Sequence, residues 1–278
     1  MIAFDFEYCK PSSAAEAVET FNMFREQGKN AMYFSGGTEI ITFARVNKLR
    51  ADAVIDIKGI PECNVLKLHG NQLVIGAAVS LNKITDSKLF PLLGQTVKKI
   101  ADHTSRNKIT IGGNMKSELI YKESVLPLLL VDAKVKIANG SEEEIVSLDA
   151  VFNKEIKLNS GNVLLQIIID TSYIDLPYVS LKRTKISKVG YPVVSVAAIV
   201  KDNRIRVAFS GVCDYPFRSS EIETIVNDSS LPVYERVEKV LAHLPSKIVD
   251  DIQASRKYRS FVLKNVLLDT LSELEMVT

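Results

Sequence analysis

The chain has 278 residues, of which 46% are hydrophobic, so it is long enough for two domains with apolar cores. Its formal net charge of +2 is small and both signs of charge are interspersed, which argues against a nucleic-acid-binding surface. Three widely separated cysteines exclude a CxxC cradle for a metal or an iron–sulfur cluster, and no apolar stretch is long enough to cross a bilayer. Because the acidic N-terminus also lacks the pattern of a signal peptide, we expect a protein of the reducing cytoplasm.

The first sixty residues predict a small α/β unit. Residues 11–28 have apolar positions at helical spacing, and Glu16 follows Ser13 by three positions, which is typical of a capping box at a helix N-terminus. The apolar runs 31–34 and 53–57 have the length of buried strands, and the segment between them is compatible with a helix. This order predicts alternating helices and strands.

The middle of the chain predicts a second and larger α/β unit. The runs 64–68 and 73–79 flank a turn around Gly70, which predicts a hairpin. A helical pattern over 80–103 follows, with a break at Pro91. Further runs indicate a helix over 123–131 and strands over 133–138, 145–148 and 163–169.

The sequence pattern changes after residue 175. Three β-rich runs follow, over 178–185, 192–200 and 204–212, and the middle run is almost wholly apolar. Three amphipathic helical patterns finish the chain. This order predicts a separate α+β domain, in which helices cover a three-stranded antiparallel sheet.

Two loops with adjacent glycines are the strongest functional signal in the sequence. Residues 35–40 are Ser-Gly-Gly-Thr-Glu-Ile and follow a predicted strand, and residues 110–114 are Thr-Ile-Gly-Gly-Asn. Glycine weakens strand and helix interiors, but it lets a backbone turn tightly and approach a flat or charged partner with its N–H groups. Neither loop fits the G-x-G-x-x-G or G-x-x-x-x-G-K-[ST] pattern, so a Rossmann or P-loop fold is not indicated. Each loop alone is typical of a tight connection after a strand, whereas the pair indicates a fold that brings both loops together.

The two loops, with Ala51 to Ile57 and Arg106-Asn107 between them, resemble the FAD-binding subunit of the xanthine dehydrogenase and carbon monoxide dehydrogenase family of molybdenum hydroxylases. The resemblance extends over nearly the whole chain. It implies an α+β protein with a two-subdomain FAD-binding domain of the PCMH and vanillyl-alcohol-oxidase type, followed by the C-terminal domain. The implied boundaries are 1–174 for the FAD-binding domain, with subdomains of about 1–58 and 59–174, and 175–278 for the C-terminal domain.

The resemblance also implies which residues contact FAD. Backbone N–H groups of Ser35, Gly36, Gly37, Thr38, Gly112, Gly113 and Asn114 would bind the pyrophosphate, and Phe34, Glu39, Ile40 and Ile111 would line the same channel. Glu123 stands where the family usually has an aspartate that contacts the sugar part of FAD. Leu164 matches a leucine whose backbone meets the isoalloxazine, and Lys182 matches a lysine near that ring. The residues alone leave two roles open for Lys182, a cation that stabilises negative charge on reduced flavin or a solvated lysine on an edge strand.

In this family, a molybdenum-cofactor subunit oxidises the substrate, and a subunit with two iron–sulfur clusters passes the electrons to FAD, which delivers them to NAD+ or another acceptor. The resemblance implies the same cofactor, partners and oxidoreductase function here. Because the flavin carries the redox chemistry, no catalytic side chain is expected, and His69, His103 and His243 have no metal-ligand spacing.

Two other classes of protein stay open at this point. One is a self-contained flavin reductase or oxidase. The other is a non-catalytic assembly subunit with a decayed flavin site. Two departures from the family keep the latter open, namely Glu123 and the segment 116–122, where many relatives have a segment of the Cys-Asn-Ala-Ser-Pro type.

Overall fold

Three main sheets follow one another along the chain in a computed structural model, which describes residues 2–186 and 189–276. The strands are β1 (Glu7–Cys9), β2 (Ala31–Phe34), β3 (Ala53–Asp56), β4 (Leu66–His69), β5 (Gln72–Gly76), β6 (Lys134–Asn139), β7 (Glu142–Ser147), β8 (Phe152–Asn153), β9 (Glu155–Ile156), β10 (Val163–Asp170), β11 (Tyr178–Thr184), β12 (Pro192–Lys201), β13 (Arg204–Ser210) and β14 (Phe217–Arg218). The helices are α1 (Ala14–Glu26), α2 (Thr38–Arg45), α3 (Leu81–Ser87), α4 (Pro91–Val97), α5 (His103–Arg106), α6 (Ile111–Lys116), α7 (Val125–Leu130), α8 (Leu148–Val151), α9 (Ser220–Val226), α10 (Val233–Ala242) and α11 (Arg256–Glu275).

The first sheet is parallel, with the strand order β1-β3-β2. Its central strand β3 is buried along its whole length, and α1 and α2 connect the strands. Ser13 caps α1, because its hydroxyl accepts the N–H of Glu16 over 3.2 Å. The Glu16 carboxylate in turn accepts the N–H of Ser12 over 2.7 Å. The helix start predicted from these residues is therefore confirmed.

The second sheet is antiparallel, with the order β4-β5-β10-β6-β7. The predicted hairpin is confirmed, since β4 and β5 pair around Gly70, whose φ of +59° suits a tight turn. The predicted helical region 80–103 is broken as expected. Helix α3 ends at Ser87, and its C-cap Lys88 has a φ of +56°. Helix α4 begins at Pro91, where proline is tolerated.

The third sheet has four antiparallel strands in the order β11-β12-β13-β14, so the prediction of three strands was wrong. The additional strand β14 pairs Phe217 with Phe209 and Arg218 with Ala208. A strand of two residues is too short to show an alternating pattern in a sequence. Helices α9, α10 and α11 pack against this sheet or against each other, as the helical patterns predicted.

Alternate residues of β12 pack into two different hydrophobic clusters. Ala197 and Ile199 belong to the cluster that extends from Ala14 to Tyr173, whereas Val196 and Ala198 belong to the cluster of the third sheet and its helices. Successive side chains of a strand point to opposite faces, so a strand covered on both faces has to be apolar throughout. This explains the apolar run. The domain boundary after residue 174 stays a prediction.

Candidate flavin site

The first glycine loop leaves β2 and ends at the N-terminus of α2. Gly37 has a φ of +70°, which favours glycine, and a Cβ there would lie 2.3 Å from the ring of Phe34. Gly37 provides no side-chain cap, and the N–H of Ile41 donates to its carbonyl over 2.8 Å. The preceding N–H groups, from Thr38 to Ile40, have no acceptor within the helix. Such a helix end favours an anion.

The N–H groups of the second loop, by contrast, already have acceptors in the protein. Ile111 donates to Val79 O (2.9 Å), Gly112 to Ala77 O (2.9 Å), Gly113 to Thr110 Oγ1 (3.3 Å) and Asn114 to Thr110 O (2.9 Å). A Cβ at Gly112 would lie 2.8 Å from Ala77 Cβ, so glycine allows two backbone segments to pack closely. These bonds engage the N–H groups of Gly112, Gly113 and Asn114, which the resemblance assigns to the pyrophosphate. Contact between this loop and FAD stays a prediction.

The two glycine loops lie against each other. A Cβ at Gly36 would lie 2.0 Å from the carbonyl oxygen of Lys108 and 3.2 Å from the nitrogen of Thr110. Only glycine allows the two backbones to approach this closely. The fold therefore brings the residues 35–40 and 110–114 together.

Lys58 holds the first loop from another side and was missed in the sequence. Its Nζ donates to Ser35 O over 2.7 Å and lies 4.5 Å from the centroid of the Phe34 ring. It also pairs with Asp56 at 2.8 Å. The sequence signal that could have found Lys58 was the position of Asp56 and Lys58 at the carboxyl end of a parallel strand, where loops commonly form ligand-binding sites.

Two buried hydroxyl groups at these loops have no hydrogen-bond partner among the described residues. They are Ser35 Oγ in the first loop and Ser124 Oγ beside the second, where the N–H of Ser124 donates to Asn114 Oδ1 over 3.2 Å. A buried polar group without a partner costs about 1–3 kcal/mol, so it indicates a ligand. Together with the open end of α2, these hydroxyls fit a molecule with phosphate and sugar groups, as FAD has. In the sequence, the one signal that could have indicated Ser124 is its position directly after Glu123.

Leu164 is connected to the second loop through two residues, Leu165 and Ala77. It lies at a bulge of β10, where the pairing with β6 shifts before Gln166. The intervening Leu165 has a carbonyl that accepts the N–H of Ala77 over 2.8 Å, and the carbonyl of Ala77 accepts the N–H of Gly112. The structure thus places the predicted isoalloxazine residue beside the predicted pyrophosphate loop.

Glu39 contacts the segment 116–122, which departs from the family pattern. Its carboxylate accepts hydrogen bonds from Ser117 Oγ and, over 2.7 Å, from the N–H of Glu118. This carboxylate therefore fixes the segment to α2. A contact between Glu39 and FAD stays a prediction.

The other residues expected to line the channel are apolar. Phe34 and Ile40 border a cavity of about 280 Å³ with apolar walls, which also include Phe4 and Phe6 of the N-terminal segment. Ile111, which belongs to the second loop, is fully buried. These surroundings favour packing roles, and contacts of these residues with FAD stay predictions.

Glu123 and Lys182 form a buried ion pair with 2.9 Å between Oε2 and Nζ, and each side chain is 5% exposed. Ser195 Oγ donates to Glu123 Oε1 over 3.0 Å, and Lys182 Nζ also donates to Lys99 O over 2.8 Å. Burial raises the pKa of Glu123, against the opposing effects of Lys182 and Ser195. Lys182 is therefore no solvated lysine, although β11 is an edge strand. Both oxygens of the Glu123 carboxylate thus contact protein groups, and a contact between Glu123 and the sugar part of FAD stays a prediction.

No group of three or more His, Cys, Asp and Glu side chains within residues 2–186 and 189–276 is placed to hold a metal ion. In the same two ranges, no helix has the length and apolar character needed to span a membrane. Burial raises the pKa of the Cys63 thiol to about 12, which disfavours thiolate chemistry at this cysteine.

The fold and site define a class of protein. A small parallel unit packs against an antiparallel sheet, two glycine loops meet between them, and an open helix end lies beside buried hydroxyls that lack partners. This combination fits a protein that binds a phosphate-containing ligand. Residues 4–171 match the family described as the FAD binding domain in molybdopterin dehydrogenase. The chain belongs to this family, and it is an FAD-binding oxidoreductase subunit of the molybdenum hydroxylase type.

Curated relatives match over the whole length of the chain. The glyceraldehyde dehydrogenase medium chain of Sulfolobus acidocaldarius is 26% identical, with 97% of this chain and 98% of the relative covered. The nicotinate dehydrogenase FAD-subunit of Eubacterium barkeri is 22% identical and covered to 98% in both chains. Among solved structures, carbon monoxide dehydrogenase from Hydrogenophaga pseudoflava has a chain with a TM-score of 0.87, at 22% identity and 98% coverage of both chains. This last similarity establishes the fold.

Proposed function

We propose that this chain is the electron-transfer subunit of a molybdenum hydroxylase complex. In this complex a two-cluster iron–sulfur subunit delivers electrons from a molybdenum-cofactor subunit to FAD on this chain, and NAD+ or another acceptor receives them. The names of the relatives, a medium chain and an FAD-subunit of dehydrogenases, support a multi-subunit assembly. The observation that carries FAD binding is the open N-terminus of α2 beside the unpartnered hydroxyl of Ser35.

FAD supplies the electron-transfer chemistry when bound, and the protein binds and orients it. We assign the pyrophosphate to the first loop, where N–H groups without acceptors meet the positive end of the helix dipole. Leu164 and Lys182 would face the isoalloxazine. The proposed site consists of Phe34, Ser35, Gly36, Gly37, Thr38, Glu39, Ile40, Ile111, Gly112, Gly113, Asn114, Glu123, Leu164 and Lys182, to which the structure adds Ser124. The domains proposed for this function are 1–174, with subdomains of about 1–58 and 59–174, and 175–278, in a cytoplasmic complex.

A visible spectrum of the purified protein tests the proposal, with NADH then added under anaerobic conditions. We expect flavin absorption that bleaches with NADH, and we expect a tagged chain to copurify with the molybdenum and iron–sulfur subunits from its own host. Protein that stays colourless after incubation with FAD would contradict the proposal and favour an assembly subunit with a decayed site. If the purified chain alone oxidised NADH over many catalytic cycles, without any partner subunit, a self-contained reductase would be favoured.

A further inference from the structure

The ion pair of Glu123 and Lys182 joins two parts of the molecule that are far apart in sequence. Glu123 directly precedes Ser124 and α7 within the first hydrophobic cluster, whereas Lys182 lies on β11 of the third sheet. Both side chains are almost fully buried. A buried charge without its partner is costly, so each group holds the other in place.

Among the described residues, the hydrogen bonds of the pair leave one N–H donor of Lys182 unused. An ammonium group has three N–H bonds, of which Lys182 uses one for Glu123 Oε2 and one for the carbonyl of Lys99. Both oxygens of Glu123 are engaged, because Ser195 donates to Oε1. The ammonium is therefore held in a fixed position, and one of its N–H groups has no acceptor within residues 2–186 and 189–276, which leaves it for a ligand.

We propose that Glu123 is a positioning residue that fixes the ammonium group of Lys182, offsets its charge, and thereby sets the reduction potential of the flavin beside it. This inference rests on the proposed function, because it requires FAD to lie next to Lys182. A cation near the flavin ring favours the reduced form, since reduction adds negative charge to the ring. A carboxylate 2.9 Å from that cation weakens the effect, and charges interact strongly where water is excluded.

The test is a spectroelectrochemical titration of the FAD-loaded protein and of its variants. Glu123→Gln keeps the shape of the side chain and removes its charge. We expect it to favour reduced flavin about tenfold, which for a two-electron couple corresponds to a rise of about 30 mV. Lys182→Met is expected to lower the potential. Glu123→Asp keeps the charge on a shorter side chain and is expected to give a value between the wild type and Glu123→Gln.

The double variant separates positioning from a direct effect. If Glu123 acts through Lys182, adding Glu123→Gln to Lys182→Met changes the potential less than Glu123→Gln changes it in the wild type, and the shift that remains is the direct effect of the carboxylate on the flavin. The double variant also leaves no buried charge of this pair unpaired, so it supplies this comparison even where Glu123→Gln alone does not fold. Arg183→Met is the matched control. Arg183 is the next residue on β11, its exposed side chain pairs with Asp269 at 3.3 Å, and its loss is expected to leave the potential unchanged.

The outcomes distinguish this inference from the proposed function. FAD that binds with the same potential in the wild type and in Glu123→Gln would overturn the role of Glu123 and leave the proposed function intact. An equal shift in the presence and absence of Lys182 would show that Glu123 does not act through the lysine and would also overturn it. Wild-type protein that takes up no FAD would overturn the proposed function and this role together.

Discussion

The two glycine loops share a dipeptide but use it for different purposes. In the first loop, Gly37 adopts a positive φ and the helix that follows keeps an open N-terminus. In the second loop, the N–H of Gly112 donates to Ala77, and the missing Cβ lets the two backbones pack. A Gly-Gly pair can therefore either present free backbone N–H groups to a ligand or allow two backbone segments to pack closely. The two cases differ in whether the N–H groups already have acceptors in the protein. We expect the first loop to determine FAD affinity and the second to determine stability.

The largest effect is expected at the contact between the loops. Gly36→Ala would place a Cβ 2.0 Å from the backbone carbonyl of Lys108, which cannot move without shifting the second loop. We expect the unfolding free energy to fall by about 1–3 kcal/mol and FAD binding to be lost. Thermal unfolding and a flavin titration measure both. Gly94→Ala is the control, because its Cβ would meet atoms no closer than 3.8 Å, and it is expected to keep stability and affinity.

A substitution at Ser35 is expected to weaken binding without lowering stability. The Ser35 hydroxyl has no hydrogen-bond partner among the described residues, so Ser35→Ala removes a bond to the ligand and no bond within this part of the protein. We expect the Kd for FAD to rise about tenfold, or about 1.4 kcal/mol, whereas the unfolding free energy of the FAD-free protein is expected to rise, because a buried group without a partner is removed. Fluorescence titration and chemical denaturation provide the two values. A fall in stability with unchanged affinity would reverse the assignment of the first loop.

Thr110→Ala is expected to show the opposite pattern. The Thr110 hydroxyl caps α6 by accepting the N–H of Gly113, so its loss is expected to lower the unfolding free energy by about 1 kcal/mol. The effect on FAD affinity is expected to be smaller than that of Ser35→Ala. If Thr110→Ala kept full stability and bound FAD much more weakly, the N–H groups of the second loop would be donors to FAD, which contradicts this assignment.

The smallest effect concerns acid stability near the first loop. Burial alone would raise the pKa of Asp56, but hydrogen bonds from Lys58 and Tyr8 outweigh it and hold the pKa below its ordinary value. The depressed pKa contributes stability that is present above the unfolded value of about 3.9 and is lost as the pH falls through the folded value. Asp56→Asn is expected to lack this component, which is below about 1 kcal/mol because Lys58 is partly exposed. Acid-unfolding curves of both proteins that run parallel would contradict this.

The sequence predicted the order of elements well, because each depends on local patterns of three to ten residues. Runs of β-prone residues revealed the long strands β11, β12 and β13 but not β14, which has two residues. The two Gly-Gly pairs lie against each other as predicted, but residues 111–114 begin helix α6 and do not form a loop. The acceptors of the N–H groups were not predicted either, since Ala77 reaches Gly112 only through the tertiary fold. The pairing of Glu123 with Lys182 was missed for the same reason, as the two residues are 59 positions apart.

Hydrogen–deuterium exchange of the backbone, with and without FAD, tests the difference between the loops most directly. The N–H groups from Gly36 to Ile40 are open at the helix end, so we predict that FAD slows their exchange strongly. Those of Ile111, Gly112 and Asn114 already donate to protein carbonyls and are predicted to change little. Slowed exchange in the second loop, with no change in the first, would contradict the assignment of FAD binding to the open end of α2.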